Sequence, residues 1–155
     1  MSVHHSIVHD TVSILDTYTP RFVSPSTPVR EIVTMLQSTG HGCVLICEGD
    51  SLVGIFTERD LLMKVFGKNR GLEIPVSQVM TADPVTVLSE DSIAYVVKKM
   101  RLGGYRHIPV LDEQKRPIRV VSIKHIVHYL VEHFPEAVYN LPPYPDQAIP
   151  SREGA

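Results

Sequence analysis

Residues 23–36, VSPSTPVREIVTML, are answered 64 positions later by residues 87–100, VLSEDSIAYVVKKM. Each stretch opens as a short apolar strand, passes through a turn rich in Ser, Pro or acidic residues, and continues as an amphipathic helix. Val29, Ile32, Val33 and Leu36, then Ile93, Val96, Val97 and Met100, recur at i, i+3, i+4, i+7, the spacing that lines one helix face. Ser26 or Thr27 ahead of Pro28 and Glu31 marks one helix start, and Ser89, Glu90 and Asp91 mark the other. A self-match at fixed period means two copies of one supersecondary unit.

Outward from these stretches the order of elements repeats too. GHGCVLICEGDSLVGIFTERDLL (residues 40–62) and GGYRHIPVLDEQKRPIRVVSIKHIV (residues 103–127) each give an apolar strand, a polar turn, a second apolar strand and a helix, one extra residue in the later turn moving the offset to 65. The reading is an α/β (α+β) fold of two pseudo-symmetric β-α-β-β-α repeats. Its parts are an N-terminal segment 1–14 that adds a strand or short helix, repeat 1 at 15–66, a glycine-punctuated linker 67–75, repeat 2 at 76–134 opening on a helical turn, and a proline-rich extended tail 135–155.

Composition narrows the function classes. With 43% hydrophobic residues and a net charge of -2, the 155-residue chain buries a core and carries no basic footprint for nucleic acid or anionic lipid. No run approaches the roughly 18 apolar residues that span a bilayer, and no signal peptide is legible, so a cytoplasmic setting with no membrane partner is expected. Cys43 and Cys47 lie on one strand about 13 Å apart, too far for a disulfide, and read as buried thiols.

The repeat with Gly54-Ile55-Phe56-Thr57-Glu58-Arg59-Asp60, VMTADPVTV, and Arg106-His107-Ile108-Pro109-Val110 followed by Asp112 resembles a tandem cystathionine-β-synthase (CBS) domain pair, the Bateman module, over residues 15–134. The resemblance implies two sheets side by side with helices outside and two clefts between the repeats for adenine-containing ligands. Thr57 ends a strand and Asp60 opens the next helix, so a hydroxyl, a carboxylate and helix amides converge where a ribose and its phosphate would sit. Arg106 and His107 enter from the opposite repeat with positive charge, Ile108 behind them. By resemblance the purine lies near Met80, Thr81 and Val85, with Tyr105 at its margin. Arg59 is either a solvated charge or a phosphate contact, and Asp60 alone could be no more than a helix cap.

The second copy departs from the pattern. At an offset of 65, Gly54, Thr57 and Asp60 become Arg119, Ser122 and His125, and the hairpin facing them, His41-Gly42-Cys43-Val44, lacks the arginine. The expectation is a working site around Thr57 and Asp60 and a degenerate or empty cleft around Gly42, Cys43, Ser122 and His125.

Enzymatic readings find little. The His residues at 125, 128 and 133 lack a companion ligand, His4, His5 and His9 sit in an end segment, and no phosphate-binding glycine loop or nucleophile elbow is present. The expected function is therefore a non-catalytic, energy-sensing regulatory module with no obligatory cofactor and no metal. Its ligand would be AMP, ADP, ATP or a related adenosyl compound such as S-adenosylmethionine or NAD, its assembly a homodimer, its protein target unknown. The competing reading is a ligand-free dimeric scaffold for protein interaction with degenerate clefts.

Overall fold

The two copies build two separate sheets in the computed structural model, which describes residues 2–134. The chain begins with α1 (Val3–His9) and a 3-10 turn (Val12–Ile14). The first unit then runs β1 (Phe22–Val23), α2 (Val29–Thr39), β2 (Cys43–Glu48), β3 (Ser51–Thr57) and α3, which starts as an α-turn (Glu58–Asp60) and widens into a π-type turn (Leu61–Phe66). After a 3-10 turn (Val76–Gln78) and β4 (Thr81–Ala82) come β5 (Val87–Leu88), α4 (Ile93–Gly103), β6 (His107–Leu111), β7 (Pro117–Ser122) and α5 (Ile123–His133). The proline-rich tail lies outside the described residues. Among the described residues no helix is long and apolar enough to cross a membrane.

Both sheets share one plan. β1 is parallel to β2 and β5 to β6, because a helix carries the chain across, while β2–β3 and β6–β7 are antiparallel hairpins. The apolar run of β2 is buried on both faces. Val44 and Ile46 meet α2 residues Ile32 and Leu36, whereas Cys43 and Leu45, on the alternate face, cluster with Ile55 of the adjacent β3 and with Val120 of the other sheet. Cys47, past a bulge in the register, is only half-buried.

The repeats are consecutive in sequence but exchanged in space. Val76 and Val79, which open the second repeat, are buried with Val29, Ile32 and Phe56 of the first, while Val12 and Leu15 are buried with Val87, Ile93 and Ile108 of the second. Backbone hydrogen bonds hold the exchange at matching positions. Val76 N donates to Thr27 O at 2.8 Å and Val12 N to Asp91 O at 2.9 Å, and β4 pairs with β3 as Tyr18 pairs with Val120.

The exchange also ends the helices. Pro28 offers no side-chain cap to α2, and the orphan amides of Val29 and Arg30 donate instead to Ile74 O and Leu72 O. In α4 the capping oxygen is that of Ser92, accepting from Tyr95 N at 3.1 Å, and Ile93 N donates to Asp10 O. The caps expected at Ser26 or Thr27 and at Ser89–Asp91 are thus displaced, because backbone from the neighbouring segment reaches the helix ends first; Asp91 secures the turn by accepting from Leu88 N. Gly40 and Gly104, both at φ 71°, stop α2 and α4 in the left-handed region.

Candidate functional site

Where β3 turns into α3, Thr57 is the N-cap and Asp60 the third helical residue, so they close a capping box. Asp60 N donates to Thr57 Oγ1 at 3.1 Å and Thr57 N returns a bond to Asp60 Oδ2 at 3.0 Å. Asp60 therefore does not open the helix as the sequence suggested; Thr57 does, three residues earlier. The other carboxylate oxygen, Oδ1, receives the Thr81 hydroxyl at 3.3 Å and the Lys64 ammonium at 3.1 Å. Asp60 is 7% exposed, a buried carboxylate with a donor on every side.

This corner forms one wall of a cleft of about 800 Å³ between the two units. Thr57, Arg59, Asp60, Thr81, Val85, Tyr105, Arg106 and His107 all line it, brought together from the β3–α3 junction, β4 and the segment after it, and the α4–β6 turn. Two residues singled out in the sequence do not. Ile108 is fully buried in the core of the second unit, pointing away from the cleft because successive strand residues alternate faces. Met80 packs against the core of the first unit with its sulfur over Gly54, where a Cβ would clash.

Three charged lining residues were not singled out in the sequence: Glu58, Lys64 and Asp83. Lys64 stands four residues after Asp60 on the same helix, a spacing that was legible. The cleft thus holds three cations, Arg59, Lys64 and Arg106, against three carboxylates, Glu58, Asp60 and Asp83.

His107 sits between the two halves. Burial pushes its imidazole pKa down to about 4, helped by His125, Lys124 and Arg106, so it is a neutral hydrogen-bonding ring at pH 7 rather than the cation expected from sequence. Gly42 makes room for it: a Cβ there would stand 2.9 Å from His107 Nε2.

At the symmetry-related position Ser122 and His125 repeat the capping box, with Ser122 N donating to His125 Nδ1 at 2.8 Å. The imidazole stands in for the carboxylate, neutral at that nitrogen, and burial lowers its pKa. Tyr18, at the place Ala82 takes in the first cleft, stacks on His41 and leans on His125 with centroids 5.7 Å apart. Its hydroxyl is 3.4 Å from Cys43 Sγ, and burial raises both groups, the thiol to about 11. In the second cleft Tyr18 thus lies against His41, Cys43 and His125. Tyr18 was not singled out in the sequence, although the offset of 64 aligns it with Ala82.

A family model described as CBS domain matches residues 13–67 and 76–132. CBS domain-containing protein CBSCBSPB1 of Arabidopsis thaliana is 31% identical over 110 residues, which are 70% of this chain and 20% of that protein. The chain thus spans about a fifth of the length of this plant relative. Among solved structures, CBS domain protein PAE2072 from Pyrobaculum aerophilum complexed with AMP has a TM-score of 0.71 at 23% identity, covering 84% of this chain and 95% of its own. The CBS domain pair of protein MJ0100 in complex with 5'-methylthioadenosine and S-adenosyl-L-methionine has a TM-score of 0.70 at 23% identity, covering 78% and 99%. At these identities the likeness is one of fold.

Proposed function

The chain belongs to the CBS-domain family as a tandem pair, and from that premise we propose that it is a non-catalytic regulatory module that binds an adenosyl ligand between its repeats. The ligand class is AMP, ADP, ATP or a related compound such as S-adenosylmethionine or NAD. The observation that carries the reading is the convergence of Asp60, the Thr57 cap, Arg59 and Arg106 on one cleft of about 800 Å³, a volume within the ordinary range for small-molecule sites. Asp60 suits the vicinal hydroxyls of a ribose, and Arg59 and Arg106 suit a phosphate. Val85, Pro84 and Tyr105 offer apolar surface for a purine. The AMP and S-adenosylmethionine complexes of PAE2072 and MJ0100 support the same ligand class.

Because one wall comes from each unit, a ligand that prefers one arrangement of the two units shifts the balance toward it, and that difference in affinity is the signal passed to a protein target. The module is proposed to act as a cytoplasmic homodimer. Leu62 and Phe66 on α3 are exposed at the positions that Val127 and Val131 take on α5, giving matched apolar faces for a second copy.

A ligand-free scaffold is the second reading, and the Tyr18–His41 stack in the second cleft favours it. Thermal unfolding against AMP, ADP, ATP, NAD and S-adenosylmethionine, on the wild type and Asp60→Ala, separates the two. A ligand at 100 times its Kd adds about 2.7 kcal/mol to the wild type, and Asp60→Ala loses that shift. No shift with any compound leaves the scaffold.

A further inference from the structure

Asp60, the residue assigned to the ribose above, is already saturated. Its Oδ2 accepts from Thr57 N at 3.0 Å and Thr57 Oγ1 at 3.2 Å, and its Oδ1 from Thr81 Oγ1 at 3.3 Å and Lys64 Nζ at 3.1 Å. Two donors to each oxygen is what a carboxylate ordinarily accommodates. A ribose diol reaches this carboxylate only by replacing one of them.

The four donors differ in how readily they leave. Thr57 N is fixed backbone, the Thr57 hydroxyl belongs to the capping box, and Thr81 is held in the β4 pairing with Ile55. Lys64 is the mobile one. Its side chain is 41% exposed, it hangs on a four-carbon stem, and its ammonium rests on Asp60 Oδ1, Thr81 Oγ1 and Met80 O, three acceptors for three protons. Lys64 also lines the cleft, so an ammonium released from Asp60 stays in the same space as the ligand.

Resting on the adenosyl reading of this cleft, we infer that Lys64 is its specificity-determining residue, an internal cation that occupies the ribose position of Asp60 and yields it to ligands carrying a phosphate. An uncharged nucleoside must break the Lys64–Asp60 pair and brings no anion to replace it. A nucleotide breaks the same pair and supplies a new anion for it. The pair therefore penalises adenosine more than AMP.

Calorimetric titration of AMP and adenosine into the wild type, Lys64→Met and Lys64→Arg tests this. The wild type binds AMP in preference to adenosine. Lys64→Met, which keeps the stem and removes the charge, gains affinity for adenosine and gains none for AMP, so the AMP-to-adenosine preference collapses by about tenfold, the scale of one hydrogen bond to a charged group. Lys64→Arg, which keeps the charge, keeps the preference. Equal changes for both ligands in Lys64→Met, the result of a merely structural lysine, overturn the inference while leaving the adenosyl site intact. Absence of binding by AMP and adenosine to all three proteins overturns the inference, and overturns the adenosyl reading as well if ATP, NAD and S-adenosylmethionine also fail to bind.

Discussion

The ring of Tyr18 lies over that of His41, centroids 3.6 Å apart and planes 20° apart. In the first cleft the matching positions are Ala82 and Tyr105, which leave a space between the units. A single aromatic substitution at a symmetric position thus makes the two clefts unequal. Two further exchanges deepen the difference, His125 for Asp60 and Gly42 for Arg106.

Tyr18→Ala therefore empties the second cleft without equipping it. Truncating a half-buried aromatic that stacks and pairs in the fold costs about 1–3 kcal/mol, read as a fall in unfolding midpoint. The number of AMP molecules bound per chain stays at one, because the opened cleft has neither the carboxylate nor the guanidinium. A second AMP binding to Tyr18→Ala would contradict this.

Stability should depend on pH through two half-buried histidines. His107 is held down to about 4 from an ordinary 6.5, by burial first and then by His125, Lys124 and Arg106, and His125 moves in the same direction. The unfolded chain takes up these protons before the folded one does. Stability is therefore complete above about pH 6.5 and declines as pH falls from 6.5 toward 4, with a slope of up to about 1.4 kcal/mol per pH unit for each proton. Urea unfolding from pH 8 to pH 4 measures it, and His107→Gln flattens the slope. A stability maximum near pH 5 would speak against the assignment.

Asp60 and Arg106 separate structure from binding. Asp60→Ala breaks a capping box and strands Lys64, so it lowers stability by about 1–2 kcal/mol as well as abolishing the ligand shift. Arg106 is exposed, and Arg106→Gln leaves stability within about 0.5 kcal/mol while weakening phosphate-bearing ligands. Equilibrium unfolding and titration on the same samples distinguish these outcomes.

Deleting residues 2–16 should damage the second unit rather than the first. It removes Val12 and Leu15 from the core around Ile93 and Ile108, and the Asp10 carbonyl from the start of α4. Burial of two such side chains contributes about 3–6 kcal/mol, so hydrogen exchange accelerates in α4, β6 and β7 while α2 and β2 stay protected. Uniform acceleration would mean the two units do not open separately.

The sequence carried the fold because its signals are local and doubled: the helical spacing at Ile32 and Leu36 recurs at Val96 and Met100, and each hairpin is a pair of adjacent apolar runs. The exchange of Val12 and Val76 between cores was illegible, since their partners are distant and both reading frames bury them equally. At the site, Thr57 and Asp60 were legible through the resemblance of residues 54–60 to the family signature. Ile108 lies off the cleft because it follows His107 in β6, and a period of two lets His107 face the cleft only if Ile108 faces the core. Lys64 escaped because a lysine four residues from an aspartate on a helix looks like any surface pair until burial of the carboxylate is seen.

The most direct test of the central claim is an amide-resolved NMR titration of the whole chain with AMP. The account predicts saturable shifts at Thr57, Asp60, Thr81, Tyr105 and His107, with Tyr18, His41, Ser122 and His125 left nearly in place. Shifts centred on the Tyr18–His41 cleft, or none at all, would contradict it.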